Sequence, residues 1–225
     1  MTPQIIHIHP DGNGRYIRFF VIADPSFEVE KPGMYVKMKI EDKEQYCVVV
    51  GAVKGHGEIS GPAVALEFMT KSDTDFGKLI KPGSTVEISD PMGGYNVSDV
   101  TNRSVVCVAG GSGIAAILPV AASAAALGAA KVDIFYAETK DTFAYKDTFA
   151  AIGNVTVHTI KTEGSLSSNP HVPILGMLTS LASVQPIVFM NHPLVYACGD
   201  HDFVDRLKKA MIPIYTTNDD FRLNF

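Results

Sequence analysis

The chain has 225 residues, of which 46% are hydrophobic, so it can bury the core of one large domain or two small ones. Its net charge of −5 and the lack of a long basic run argue against a nucleic-acid partner. Its three cysteines are too few and too scattered for a disulfide framework or a four-cysteine iron–sulfur cluster, which favours a reducing, cytoplasmic location.

The start of the chain and its most apolar stretch both argue against membrane insertion. Residues 1–4 lack the basic region and long apolar core of a signal peptide, although a removed transit peptide would imply an organelle. The alanine-rich residues 114–130 form a run of about 17, whereas a membrane span needs about 20 strongly apolar residues. We therefore predict a helix buried against a sheet and no membrane span.

Residues 1–98 contain short runs of β-forming residues separated by turns rich in glycine and proline. Their spacing predicts an antiparallel β-barrel or sandwich. Strands are predicted at residues 4–9, 16–22, 34–40, 46–53, 63–69 and 85–88.

Residues 99–225 alternate between apolar strand-like runs and helix-like segments. This alternation predicts an α/β domain with a doubly wound parallel sheet and helices on both faces. Strands are predicted at residues 104–109, 131–137, 154–160 and 194–198, and helices at 113–127, 142–152, 174–183 and 203–210.

Residues 111–116 have the pattern G-x-G-x-x-A between a predicted strand and a predicted helix. Glycines there allow a tight turn and the close approach of a pyrophosphate to the helix N-terminus. A small-residue turn for helix–strand packing is the alternative. A later strand ends in Cys198-Gly199 and could supply the second wall of a nucleotide crevice. The two strands that end in glycine together predict a nicotinamide-cofactor site.

An acid after the second strand of a dinucleotide-binding sheet holds the adenosine ribose. Glu138 follows the second predicted strand, although it also fits an ordinary loop residue. Thr159 and Lys161 follow the third strand, within reach of a 2′-phosphate, so the choice between NAD and NADP stays open.

Short motifs along the chain occur in a characteristic order. They are the segments 31–36 (KPGMYV), 81–88 with 91–93 (KPGSTVEI and PMG), 109–115 (AGGSGIA), 145–149 (YKDTF) and 196–199 (YACG). Together they resemble the motifs of the ferredoxin–NADP reductase superfamily. The resemblance implies a flavin-binding antiparallel barrel joined to an NAD(P)-binding α/β domain.

The family carries Arg-x-Tyr-Ser/Thr in its fourth barrel strand, where this chain has residues 44–47, Glu-Gln-Tyr-Cys. The resemblance implies that Tyr46 packs on the flavin and its ribitol, and that Cys47 replaces the hydroxyl residue near flavin N5. Glu44 stands in place of the arginine that neutralises the pyrophosphate.

The family's flavin-phosphate loop corresponds to residues 72–77, which include Thr74 and Gly77. This segment also carries Asp73 and Asp75, whose charges repel a pyrophosphate unless they point away. Binding of FAD, or of FMN, is therefore expected to be weakened or rebuilt.

The resemblance also implies roles on the nicotinamide side. Cys198 would lie near the nicotinamide C4, or else fill space as a small buried residue. Phe225 would stack on the flavin, or else pack in the core. Asp200 replaces a family proline and would shape the pocket or, as we favour, cap the following helix. The residues expected to bind NAD(P)H are Gly110, Gly111, Ser112, Gly113, Ile114, Glu138, Gly199 and Asp200.

These features predict a flavin-dependent NAD(P)H oxidoreductase, an electron-transfer flavoprotein that moves hydride from NAD(P)H to flavin. The electrons then pass to an unidentified acceptor, which we expect to be a separate protein. The alternative is a reductase-like nucleotide-binding or regulatory module that has lost flavin. No metal site is predicted, because His7 and His9 are an isolated pair and zinc sites need three or four ligands.

Overall fold

The N-terminal part of the computed structural model consists of antiparallel sheets that share one core. The structure describes residues 2–54, 63–138, 141–161, 176, 178, 192–212 and 216–224. The elements are β1 (Gln4–Asp11), β2 (Tyr16–Ala23), β3 (Met34–Ile40), β4 (Lys43–Val48), β5 (Gly51–Lys54), β6 (Val64–Lys71), α1 (Asp75–Lys78), β7 (Glu87–Ile88) and β8 (Met92–Gly93). One sheet has the order β1-β2-β6-β5, and the other has the order β4-β3-β7 with β8 also paired to β3.

Strand β3 illustrates why this part folds as sheets with a common core. Val36, Met38 and Ile40 are buried, while Lys37 lies between them on the outer face. A period of two places every second side chain on one face of a strand. The inward residues of both sheets then meet, and the rings of Phe19 and Phe68 stack there at 5.5 Å.

The single strand predicted at residues 46–53 is two strands, β4 and β5, that belong to different sheets. The backbone N–H of Val49 donates to the carbonyl of Met34 in β3, at 2.8 Å. The next N–H, of Val50, donates to the carbonyl of Glu67 in β6, also at 2.8 Å. The chain therefore changes sheets between adjacent residues, which is how such β structures form a corner.

The C-terminal part is a parallel sheet with helices. Its elements are β9 (Ser104–Gly110), α2 (Ile114–Ala126), β10 (Lys131–Glu138), α3 (Lys146–Ala150), β11 (Val155–Lys161), β12 (Leu194–Cys198), α4 (His201–Met211) and β13 (Phe221–Leu223). The strand order among the described residues is β11-β10-β9-β12-β13. Strand β9 is buried continuously from Val105 to Ala109, as expected when both faces of a parallel sheet are covered. This architecture confirms the predicted fold class.

Some elements differ from the predictions. The helix predicted at residues 142–152 is only Lys146–Ala150, because Tyr145 has a left-handed backbone with φ +60° and begins the helix late. The short strand β13 was not predicted, since three residues carry too little pattern and form a strand only by pairing with β12. The helix predicted at residues 174–183 lies outside the described residues, apart from helical residues 176 and 178.

The turn between β1 and β2 joins the two parts of the molecule. The side-chain Nδ2 of Asn13 donates to the carbonyl of Asp141 at 2.6 Å, and the backbone N–H of Tyr145 donates to Oδ2 of Asp11 at 3.2 Å. A Cβ atom on Gly12 would lie 2.5 Å from the carbonyl oxygen of Thr142, so this close approach requires glycine. The turn therefore lies over the loop that follows β10.

Within the described ranges, no helix combines the length and apolar character needed to cross a bilayer. The same residues contain no cluster of three or more histidine, cysteine, aspartate or glutamate side chains arranged for a metal ion. The rings of His7 and His9 contact each other at 4.1 Å on the exposed side of β1.

Candidate functional site

A cavity of about 520 Å³ lies between the two parts of the molecule. Its barrel side is formed by the end of β4, the end of β6 and Arg15. Its other side is formed by the carboxyl ends of β9, β10 and β12, where ligands bind in open α/β sheets. The predicted site residues that line it are Tyr46, Thr74, Gly110, Gly111, Ser112, Gly113, Glu138, Cys198, Gly199 and Asp200.

The predicted phosphate loop forms the turn between β9 and α2. Residues Gly111–Gly113 make one 3₁₀ turn before the α-helix begins at Ile114. Gly111 has φ +56°, a conformation that favours glycine. A Cβ on Gly113 would lie 2.3 Å from the carbonyl oxygen of Cys198, so this glycine lets the loop pack against the end of β12. The helix has no side-chain cap at Gly113, and the loop faces the cavity with its backbone.

Three of the predicted site residues do not line the cavity. Ile114 is fully buried in the core between α2 and the parallel sheet, because it is the first residue of the helix's inward face. Cys47 is buried in the barrel core, because strand alternation turns it opposite to Tyr46. Burial raises the pKa of the Cys47 thiol to about 12. Gly77 packs against the carbonyl of Lys71, where a Cβ would lie 2.1 Å from the oxygen. The side chains of Ile114 and Cys47 thus pack in the core and Gly77 packs against β6, and the cofactor contacts expected of these three residues remain predictions.

Tyr46 is the exposed aromatic side chain at the barrel side of the cavity. Its side chain is 65% exposed, and its ring contacts the ring of Tyr35 edge-on at 5.7 Å. An aromatic ring held this way offers a flat apolar surface to a planar ligand. The adjacent Gln45 donates from Nε2 to Oγ1 of Thr70 at 2.8 Å, which orders the strand end beside it.

Thr74 lines the cavity but uses its hydroxyl to cap α1. Its Oγ1 accepts from the backbone N–H of Gly77 at 3.0 Å and donates to the carbonyl of Lys71 at 3.0 Å. These bonds fix the segment predicted as the flavin-phosphate loop. Neither Asp73 nor Asp75 lines the cavity, although the charge of Asp73 acts on Arg15, which does.

The segment after β12 forms the opposite wall. Burial raises the pKa of the Cys198 thiol, which keeps it neutral near pH 7. The hydroxyl of Tyr95 donates to the carbonyl of Ala197 at 2.7 Å and fixes this strand end. Asp200 accepts from the backbone N–H of Phe203 at 2.8 Å, which confirms that it caps α4. A Cβ on Gly199 would lie 2.6 Å from the Phe203 ring, so glycine allows this close packing.

Glu138 is 2% exposed, although it lies at the cavity wall. Its carboxylate accepts from the hydroxyl of Tyr16 and, at 3.1 Å, from the hydroxyl of Tyr136. The Nε of Arg15 lies 3.7 Å from its second oxygen. Burial raises the pKa of Tyr16, and the bond to Glu138 raises it further, so the phenol stays protonated. Glu138 therefore links the parallel sheet to the barrel.

Sequence reasoning missed three residues at this cavity. Arg15 and Lys71 bring positive charge to its barrel side, and the Phe203 ring packs over Gly110. These three residues could be found only by knowing that β2, β6, β9 and α4 come together at the cavity, and no local sequence pattern indicates that.

The predicted aromatic partner Phe225 lies outside the described residues. The preceding residue, Asn224, is anchored on the barrel: its Oδ1 accepts from the backbone N–H of Gly94 at 2.7 Å, and its Nδ2 donates to the carbonyl of Gly33. A second cavity of about 180 Å³ lies beside Asn224, and Cys198 lines both cavities. Asn224 is therefore held close to Cys198.

No known protein-family model and no curated protein matches this sequence. Solved structures do match. The ferredoxin reductase of carbazole 1,9a-dioxygenase has a TM-score of 0.76 at 14% identity and covers 100% of this chain and 68% of its own. Phthalate dioxygenase reductase has a TM-score of 0.69 at 16% identity, with coverages of 100% and 67%. The CS-b5R domains of human Ncb5or, in the NAD+ form, have a TM-score of 0.71 at 16% identity, with coverages of 100% and 69%.

The chain therefore has the ferredoxin reductase-like fold, an antiparallel β part followed by a parallel α/β part. This is the fold that the motif resemblance implies. This chain spans about two thirds of the length of these structures. Fold does not by itself define chemistry, so the activity has to be argued from the site.

Proposed function

We propose that the protein is a flavin-dependent NAD(P)H oxidoreductase. One observation carries this proposal: a single cavity is lined by an exposed aromatic ring, Tyr46, by the glycine loop Gly111–Gly113 and by Cys198. An aromatic surface suits a flavin ring, and a glycine loop at a helix start suits a nucleotide phosphate. The three features together suit a flavin and a nicotinamide nucleotide, whose rings must come into contact for hydride transfer.

The residues present fit these cofactors. The cavity of about 520 Å³ is within the range of cofactor sites, and its acidic neighbours Glu44, Asp73 and Asp75 do not line it. Tyr46 would hold the flavin ring, and the loop from Gly110 to Gly113 would hold the nicotinamide nucleotide. A bound flavin supplies the capacity to accept hydride at N5 and to release electrons singly or in pairs.

The protein's own residues bind and orient the cofactors and exclude water. The buried side chains of Met69 and Phe203 form apolar parts of the cavity wall. Cys198, a neutral thiol beside Gly199, would control the approach of the nicotinamide ring. No side chain is needed as an acid or base, because hydride transfer between cofactors needs no protein proton donor.

The acceptor is proposed to be a separate redox protein. The structure of phthalate dioxygenase reductase is described as a modular structure for electron transfer from pyridine nucleotides to a 2Fe–2S centre, and the carbazole enzyme is a ferredoxin reductase that also has an FAD apo form. A cytoplasmic location is proposed because all three cysteines are free thiols.

An absorption spectrum of the purified protein tests this function. We expect flavin bands at about 370 and 450 nm, present after purification or after addition of FAD or FMN and gel filtration. Bleaching of these bands by NADH or NADPH would also identify the preferred nicotinamide. A protein that retains neither flavin contradicts the proposal.

A flavin-free nucleotide-binding module is the second candidate. It is favoured by Glu44, which stands where the family has its pyrophosphate-binding arginine and forms an ion pair with Lys37 at 2.6 Å. Binding of ADP-ribose by a protein that retains no flavin would support this alternative.

A further inference from the structure

The positive charges of the cavity come from an unexpected part of the barrel. Lys71 is the last residue of β6 and pairs with Tyr16 across the β2–β6 ladder, so Arg15 and Lys71 lie at the same end of one sheet. Both residues line the cavity together with the loop Gly111–Gly113.

These two cations differ in how they are held. Arg15 lies beside Glu138, with Nε 3.7 Å from its Oε2, and its guanidinium carbon is 5.8 Å from the centre of the Tyr16 ring. Its side chain is 27% exposed. Lys71 makes no ion pair with any residue in the described ranges. One cavity is therefore lined by the Arg15 guanidinium, which is paired with Glu138, and by the Lys71 ammonium, which has no ion pair among the described residues.

Carboxylates offset part of this charge. Glu138 lines the wall and forms an ion pair with Arg15, and the charge of Asp73 also acts on the Arg15 guanidinium. Asp200 lines the wall as well, where it caps α4. Glu44 is engaged with Lys37 on the outer surface of the barrel. An anion that enters the cavity therefore meets the Lys71 ammonium, which has no ion pair among the described residues, the Arg15 guanidinium and a glycine loop, a combination that suits phosphate.

We propose that Arg15 and Lys71 bind the phosphate of the flavin nucleotide, and so supply the charge that the arginine-to-glutamate replacement at position 44 removes. This proposal rests on the proposed function, because it assigns the ligand of the same cavity. Arg15 presents a planar group suited to two phosphate oxygens, and Lys71 supplies a point charge.

Binding titrations of FMN, FAD and riboflavin to purified Arg15→Gln and Lys71→Gln variants test the proposal. Each substitution should weaken FMN and FAD binding by about tenfold, since hydrogen bonds to charged groups are worth about one factor of ten or more. Riboflavin, which has no phosphate, should bind as it does to the unmodified protein. The affinity for FMN should also depend less on salt concentration in each variant.

Two further variants serve as controls. Arg15→Lys keeps a positive charge beside Glu138 but loses the planar group, so it should bind FMN more tightly than Arg15→Gln and less tightly than the unmodified protein. Lys39→Gln removes an exposed barrel cation that pairs with Glu87 at 3.2 Å and should change nothing. Urea unfolding of every variant shows whether a weakened affinity reflects a damaged fold, and Lys71→Gln removes no ion pair among the described residues.

The outcomes distinguish failure of the proposed function from failure of the assignment of Arg15 and Lys71 to the flavin phosphate. An unmodified protein that binds no flavin overturns both the proposed function and this assignment. If the unmodified protein binds flavin that NAD(P)H bleaches, but both Gln variants keep its FMN affinity, only the assignment fails. A matching loss of riboflavin binding, or a loss of ADP-ribose binding with FMN binding intact, also overturns the assignment.

Discussion

The hydroxyl of Tyr16 donates a hydrogen bond to the buried carboxylate of Glu138, across a sequence separation of 122 residues. Tyr16 begins the second strand of the barrel, and Glu138 ends the second strand of the parallel sheet. Both side chains are almost completely buried. This contact ties the two parts together at the wall of the cavity.

Tyr16→Phe should lower the free energy of unfolding by about 1–3 kcal/mol, because the buried Glu138 loses a hydrogen-bond donor. Urea unfolding measures this change. Tyr35→Phe is the matched control, since the Tyr35 hydroxyl has no hydrogen bond within the described residues and its removal should cost almost nothing. Equal stability of the two variants would show that the Tyr16 bond contributes little.

Gly113→Ala should destabilise the protein by about 1–3 kcal/mol, the range for overpacking. The added methyl would lie 2.3 Å from the carbonyl oxygen of Cys198, a backbone atom that cannot move aside as the end of a flexible side chain could. Gly153→Ala is the control, because its Cβ would have no atom within 4 Å. Thermal unfolding should separate the two variants clearly, and a tolerated Gly113→Ala would show that the loop can shift away from β12.

Asp200→Ala should cost about 1 kcal/mol of stability through loss of the helix cap, whereas Asp200→Asn should retain most of it. The same two variants test whether Asp200 also shapes the nicotinamide pocket. If capping is its main role, NADH affinity should follow stability and be nearly normal in Asp200→Asn. A large loss of NADH affinity in Asp200→Asn at normal stability would instead assign it to the cofactor.

Asp133 gives a pH-dependent contribution to stability. Burial raises its pKa, but the hydrogen bond from His158 at 3.0 Å and the interaction with Lys131 at 2.9 Å outweigh burial, and the pKa is lowered below its usual value of about 3.9. A lowered pKa in the folded state means that the contribution is fully present above about pH 4 and is lost as the pH falls through the folded value. The difference in unfolding free energy between the unmodified protein and Asp133→Asn should therefore be largest near neutral pH and shrink below about pH 4, as urea unfolding at a series of pH values measures. A difference that stays constant down to pH 2 would contradict a charged role for Asp133.

Tyr46→Ala should weaken flavin binding by about tenfold, because loss of one stacked aromatic ring typically costs about 1–3 kcal/mol. The stability of the protein should hardly change, since the side chain is 65% exposed. Tyr46→Phe preserves the ring and should bind FMN nearly as well as the unmodified protein. Fluorescence titration with FMN measures the affinities of the two variants and of the unmodified protein. Unchanged binding by Tyr46→Ala would remove Tyr46 from the flavin site.

The pattern of neighbouring residues was sufficient to predict much of the fold and part of the candidate site. The strand Met34–Ile40 was predicted with its observed bounds, because its apolar residues alternate without interruption. The glycine loop and Cys198-Gly199 were found because small residues follow buried apolar runs, and both segments line the cavity. The capping role of Asp200 followed from its place just before an amphipathic segment, and its bond to Phe203 confirms it.

The directions of individual side chains depended on the tertiary structure. Motif order suggested that Tyr46 and Cys47 act together, but adjacent residues of a strand face opposite sides, and the barrel core takes Cys47. The two cations at the cavity, Arg15 and Lys71, come from strands whose pairing joins distant parts of the chain.

Repeating apolar and small residues determine which segments become strands, helices and glycine turns, because these preferences act over a few neighbouring residues. The cavity's charge and the burial of Glu138 arise only when the barrel meets the parallel sheet. That meeting depends on contacts between residues far apart in the chain, such as Tyr16 with Glu138, and no local preference encodes them.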